Sequence, residues 1–194
     1  MDAALIAIER ACGSGSVIRD PSLLEGYAHD DSEAAPCMPE AVVRARTTAE
    51  VSEVMKAAYE HEIPVTPRGG GTGRVGGAIP VPGGIVLAFE KMNSIEGIDR
   101  NELTARVQPG VITGELKRAT EEENLFYPPD PNSRDSCAIG GNLAANAGGP
   151  RAFKYGVTRE YVMGMDVVLA DGTILKLGRE TKKGVTGYDL TSLM

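Results

Sequence analysis

Six glycines fall within the twelve residues PRGGGTGRVGGA, Pro67 to Ala78, directly after an apolar stretch. At that density the chemistry belongs to the main chain, because successive N–H groups freed of side chains can turn into one concavity and hold an anion. Gly71, Gly73 and Gly76 match the GxGxxG spacing, but that dinucleotide pattern also requires the run to open a helix facing the pyrophosphate. The next residues are AIPVPGG, and Pro80 and Pro82 would break any such helix. No Gly-Lys-Ser/Thr follows either, which excludes the Walker A loop. What is left is a strand–loop–strand nest for a diphosphate, with Arg68 adding charge from the edge. Its competitor is a plain surface loop. Hydrogen bonds to charged groups contribute roughly 1.5–3 kcal/mol each, so a few amides would suffice.

A second small-residue segment, CAIGGNLAANAGGP, covers Cys137 to Pro150 and carries two amides, Asn142 and Asn146. Taken alone it fits close packing of a short helix on a sheet, with Asn146 as a cap. Two such runs in one chain suggest a single elongated ligand held at two points, and a dinucleotide has that shape.

The elements that must position these turns follow from periodicity. MDAALIAIERACG reads as an amphipathic helix, PEAVVRART as a short strand and TTAEVSEVMKAAYEHEI as a helix. Thr47 and Glu50 stand at capping-box spacing there, and Val51, Val54, Met55 and Ala58 share one face. IPVTP and GIVLAFEKM are strands on either side of the glycine run. A further strand or hairpin is expected over residues 95 to 111, turned through Asp99 to Asn101. Thr113 is placed as the cap of a helix GELKRATEEEN. In YVMGMDVVLADGTILKLG, Asp171-Gly172 is read as a type I′ turn with both residues at positive φ. Helices alternate with strands early and hairpins dominate late, so the fold class is α+β with two lobes dividing near residues 90 to 100.

Bulk properties narrow the function. The 194 residues can bury a real core. A net charge of −7 argues against a nucleic-acid or anionic-membrane partner, since both reward excess Lys and Arg. Cys12, Cys37 and Cys137 show no CxxC spacing and leave one over, which fits a reduced, cytoplasmic compartment. No apolar run reaches the length of a membrane span, and the N-terminus lacks the features of a signal peptide.

PRGGGTGRVGGA, then VQPGV, PPDPNSRDSCAIGGNLAANAGGPRAFKYG, VVLADGTIL and GYDL, in that order and spacing, resemble the PCMH-type FAD-binding domain of the vanillyl-alcohol oxidase / p-cresol methylhydroxylase flavoprotein family. The likeness runs from Pro39 to the last residue. It is nearest to the branch of the glycolate oxidase flavin subunit, the D-lactate dehydrogenases and D-2-hydroxyglutarate dehydrogenase. The resemblance implies an N-terminal helical lead-in over 1–38 and a two-lobed domain over 39–194 with FAD between the lobes. It also implies that the family's cap, which carries substrate groups, lies outside this chain, as part of a longer polypeptide or of another one.

Carried over residue by residue, the pyrophosphate loop is Arg68, Gly69, Gly70, Gly71, Thr72 and Gly73 with Gly76 and Gly77. Pro109 and Gly110 line the flavin path. Ser133, Gly140, Gly141, Asn142 and Asn146 wrap the middle and ring end, and the segment Tyr155, Gly156 and Val157 closes the site. Covalently flavinylated members carry a histidine where this chain has Thr72, so the resemblance implies noncovalent FAD. His29 and His61 lie outside the motifs. The implied reaction oxidises a small 2-hydroxy acid to the 2-keto acid, with electrons passed on to an acceptor or another subunit. Asp130, Asp135 and Asp189 are candidate bases by type alone, and Arg151 and Lys154 candidate carboxylate or phosphate partners, so no catalytic residue is assigned. No metal site is expected. A different branch, an alcohol oxidase or a sugar-nucleotide reductase, would share the cofactor. A non-catalytic nucleotide-binding module would share only the fold.

Overall fold

The computed structural model describes residues 1–179, 181 and 187–194. Contacts divide these into two units, Met1–Met92 with Val168–Ile174, and Asn93–Val167 with Leu175–Met194.

In the first unit, α1 (Asp2–Cys12), β1 (Val17–Ile18), α2 (Pro21–Leu24), β2 (Ala41–Arg44), α3 (Thr48–Glu60), β3 (Val65–Arg68) and β4 (Ile85–Ala88) follow in chain order. The sheet order is β1-β2-β4-β3. β4 is parallel to both β2 and β3, and β1 runs antiparallel to β2. The chain therefore leaves β2, crosses through α3 to β3, and returns through the glycine run to insert β4 between them. β4 is buried along its whole length, as its unbroken IVLA run requires of a strand covered on both faces.

Alternation assigns the two faces. Val43, Ile85 and Leu87 meet Leu5 and Ile8 of α1 and Val51 and Val54 of α3. Val42, Val86 and Ala88 pack under Leu24, with Ile18 and Tyr27 beside them. Residues 1–38 thus supply part of both layers of this unit's core.

α3 begins as its sequence directs. The Thr47 side chain accepts from the Glu50 amide at 3.1 Å, and the Glu50 carboxylate reaches back to the Arg46 amide at 2.8 Å, one residue before the expected partner. Thr47→Ala is expected to destabilise the first unit by about 1 kcal/mol, read as a lower urea midpoint with unchanged slope. An unmoved midpoint would mean that this cap carries no stability.

In the second unit, β5 (Ile95–Asp99) and β6 (Thr104–Val107) form an antiparallel hairpin. The Asp99 carboxylate holds its turn by accepting from the amides of Asn101 and Glu102. α4 (Thr113–Glu122), α5 (Ile139–Ala144) and α6 (Ala152–Tyr155) follow, then β7 (Gly164–Val168) and β8 (Ile174–Gly178). Val111, Leu116 and Ile139 centre a small core with Val107, Tyr127 and Leu143 against it.

Two local expectations are corrected. Ile112, not Thr113, is the N-cap of α4, because the Thr113 hydroxyl is taken up by a buried network described below. Between β7 and β8, Gly172 has φ of 82° but Asp171 does not share the left-handed region, so the turn is not type I′. The Asp171 carboxylate instead accepts from the Thr173 amide at 2.9 Å, which stabilises a longer connection. Gly172 also packs against α3, where its carbonyl accepts from the Ser52 hydroxyl at 2.5 Å.

Candidate FAD-binding site

β3 ends at Arg68, and the Phe89 amide donates to the Arg68 carbonyl at 3.1 Å. The glycine run therefore leaves the edge of the sheet from a fixed point. Its first half offers open main chain. The amides of residues 69 to 75 have no hydrogen-bond partner among the described residues, a row of donors on partly exposed backbone. Gly71, with φ of 68°, turns the run, and a Cβ there would collide with the Arg68 guanidinium. That combination, free N–H groups with no side chain in front of them, fits a diphosphate.

The Arg68 side chain has another task. It is buried, and its Nη1 donates to the His29 carbonyl at 2.7 Å and the Ala78 carbonyl at 3.4 Å, while Nη2 donates to the Gly26 carbonyl at 3.2 Å. The Tyr27 ring stacks 5.7 Å from its guanidinium carbon. Burial pushes its pKa down, against the nearby Tyr27 and Asp30. Arg68 ties both ends of the loop to residues 26–29 rather than presenting a free cation.

Asp30 is the counterpart that the sequence did not reveal. This buried carboxylate accepts from the Ser32 amide at 3.0 Å and the Ala78 amide at 3.4 Å, and the Gly76 amide also faces it. Burial raises its pKa, but these hydrogen bonds outweigh it and hold the group below the usual carboxylate range. The second half of the run thus ends on a negative charge. Gly76 is placed beside that carboxylate, and a Cβ at Gly73 would stand 3.8 Å from its Oδ2, so an anion is better received by residues 69 to 72. The only local hint of Asp30 is its spacing to Ser32, which suits an Asx turn.

In the second unit most amides of the small-residue segment are engaged internally. Gly140 donates to the Pro109 carbonyl at 2.8 Å, Ile139 to the Val111 carbonyl at 2.9 Å and Asn142 to the Ala138 carbonyl at 2.9 Å. Pro109, Gly110 and Gly140 are thereby brought together, with Gly141 one step further along α5. The Asn142 side chain is buried and donates to the Thr113 hydroxyl at 2.5 Å, and that oxygen lies 3.2 Å from the Cys137 Sγ. Asn146, at φ of 46°, accepts the Arg159 amide on its side-chain oxygen at 3.1 Å. Both asparagines act here as pins of the turn. Ser133 accepts from the amides of Ser136 and Cys137 on its carbonyl, and its hydroxyl has no partner among the described residues. Tyr155 and Gly156 end α6, and Val157 lies against Gly148.

Of the candidate bases, Asp130 is buried with Lys117 Nζ and Arg134 Nη1 on Oδ1, at 3.3 and 3.2 Å, and Arg151 Nε on Oδ2 at 3.2 Å. Burial raises its pKa, but the bonds from Arg134 and Lys117 and the charge of Arg151 more than offset this. A carboxylate so held is a poor proton acceptor. Asp189 accepts from the Ser192 amide and hydroxyl, a turn role, and Asp135 is exposed with Arg134 at 3.9 Å. Lys154 donates to the Tyr155 hydroxyl at 3.0 Å. Lys117 escaped the sequence reading, although its spacing from Thr113, Leu116 and Thr120 puts it on the buried stripe of α4. Among the described residues there is no group of His, Cys, Asp and Glu able to hold a metal ion.

Residues 39–178 match the family model described as FAD binding domain. The chain belongs to this family. It is 50% identical over 167 residues to the glycolate oxidase subunit GlcD of Bacillus subtilis, covering 86% of this chain and 36% of that protein. It is 44% identical over 171 residues to a D-lactate dehydrogenase of Anaerostipes hadrus, covering 88% of this chain and 36% of that one. Among solved structures it resembles p-cresol methylhydroxylase with substrate bound, at a TM-score of 0.71 and 28% identity over all of this chain and 38% of that one. The resemblance drawn from the motifs and the α+β fold class are thereby borne out, and FAD is the cofactor of the family's domain. The chain spans little more than a third of the length of these relatives. All three cysteines are free, and no helix among the described residues is long and apolar enough to cross a membrane.

Proposed function

We propose that this chain is the FAD-holding part of a flavin-dependent dehydrogenase or oxidase that converts a small 2-hydroxy acid, such as glycolate or D-lactate, to its 2-keto acid. The observation that carries the reading is the row of amides at residues 69 to 75 with no hydrogen-bond partner among the described residues, inside the segment matched by the FAD binding domain. The names of the two relatives, a glycolate oxidase subunit and a D-lactate dehydrogenase, support the substrate class. Bound FAD supplies the two-electron acceptor, and the protein supplies placement and electrostatics. In this reading Arg68, Gly69, Gly70, Gly71, Thr72 and Gly73 form the diphosphate loop, with Gly76 and Gly77 closing it. Pro109, Gly110, Ser133, Gly140, Gly141, Asn142, Asn146, Gly156 and Val157 serve the rest of the cofactor. Thr72 cannot form a histidyl–flavin bond, so FAD is held noncovalently.

The purified chain, supplemented with FAD and freed of excess, is expected to show flavin absorption that passes wholly to the supernatant on acid precipitation. Flavin left in the pellet would overturn the noncovalent assignment. A chain that takes up no FAD would leave the non-catalytic module as the better reading.

A further inference from the structure

Asp130 draws three cations from separate stretches of the second unit onto one buried carboxylate: Lys117 from α4, Arg134 from the strap that carries Ser133, and Arg151 from the end of the glycine-rich turn. The backbone repeats the join. The Asp130 amide donates to the Gly148 carbonyl at 3.2 Å, and Gly149, with φ of 104°, has no room for a Cβ beside the Asp130 carbonyl. Lys117 is itself buried and donates to the carbonyls of Tyr127 and Pro129 at 3.1 Å, which fastens the strap just before Asp130. Arg134 and Arg151 are about half exposed, so each reaches the carboxylate from the solvent side.

We infer that Asp130 is the positioning residue of the second unit's cofactor segments. It sets the register between the Pro129–Arg134 strap and the Asn146–Arg151 turn. Without its charge, Arg134 and Arg151 lose their common anchor and the buried Lys117 ammonium loses its only counter-ion among the described residues. Removing one partner of a buried ion pair leaves the other uncompensated, so strap and turn, still joined by the backbone bond, lose the side-chain contacts that fix their register. Because the carboxylate is fully occupied by cations, it acts through these neighbours and not on substrate. The inference rests on the FAD reading above.

Asp130→Asn preserves the side chain's shape and the backbone bond to Gly148. FAD titration of the purified chain, followed by flavin fluorescence and visible circular dichroism, is expected to show at least a tenfold rise in Kd. The visible dichroism of the flavin that does bind should also change. Arg151→Gln, at a half-exposed position that threatens folding less, should raise Kd threefold or more in the same direction. Wild-type Kd and an unchanged visible spectrum in both variants, even with a lowered melting temperature, would overturn the positioning role while leaving the FAD reading intact. A wild-type chain that binds no FAD would overturn both.

Discussion

Gly71→Val is expected to raise the Kd for FAD by at least about a hundredfold, or roughly 2.8 kcal/mol. Two effects add. Valine strongly resists the left-handed backbone that Gly71 adopts, and its Cβ would occupy the space of the Arg68 guanidinium. Displacing that group frees the carbonyls of Gly26, His29 and Ala78 together, and the loop loses the frame that aims its amides. Losing two charge-assisted hydrogen bonds at roughly 1.5–3 kcal/mol each is enough for the expected loss. Far-UV circular dichroism should change little, since the four-stranded sheet and α3 do not depend on the loop. Gly26→Ala is the control, because a Cβ there meets open space and the carbonyl is kept. If Gly71→Val held FAD as tightly as the wild type, the diphosphate would not lie on this loop.

Gly149→Ala should act on stability rather than directly on the ligand. A Cβ at Gly149 would fall on the Asp130 carbonyl, which is backbone and cannot rotate aside. The position also has φ of 104°, a conformation hostile to any residue with a side chain. A destabilisation of about 3–5 kcal/mol is expected from backbone strain and steric overlap together. Urea unfolding should show it, with the fluorescence of the second unit's tyrosines lost at a lower midpoint. A shift under about 1 kcal/mol would show that the turn can move away from the strap, and that the close approach at Asp130 is not required.

These two glycines also show where sequence reasoning reaches. That both runs are special was legible, because side chains are missing at a density no ordinary loop needs. Which half of the first run is open was not. Asp30 lies 46 residues before Gly76 in the chain, and nothing in the local spacing says that its carboxylate faces that amide. From its neighbourhood in the chain, Arg68 reads as a cation for the ligand. Its partners are carbonyls 39 and 42 residues upstream, so its role was fixed by what folds over it. Asn142 reads as a cofactor group, and its side chain also reaches Thr113 across 29 residues, a contact that no local pattern shows. That same contact removes Thr113 from the helix cap that its position at the start of α4 suggested.

Residue order alone settles the features that depend on neighbours a few positions apart. Helix α3 and its Thr47 cap, the strands β2 to β4, the hairpins, the two small-residue turns and the family they spell all rest on periodicity, capping and backbone permissiveness. Long-range packing sets the rest: β4 slots between β2 and β3, residues 1–38 complete the first unit's core, and Asp30 and Asp130 are anchors. Range separates the two. A charge near a turn can face solvent, a ligand or a distant carbonyl at similar local cost, and the choice is made by which desolvated partners the folded chain brings within hydrogen-bond distance.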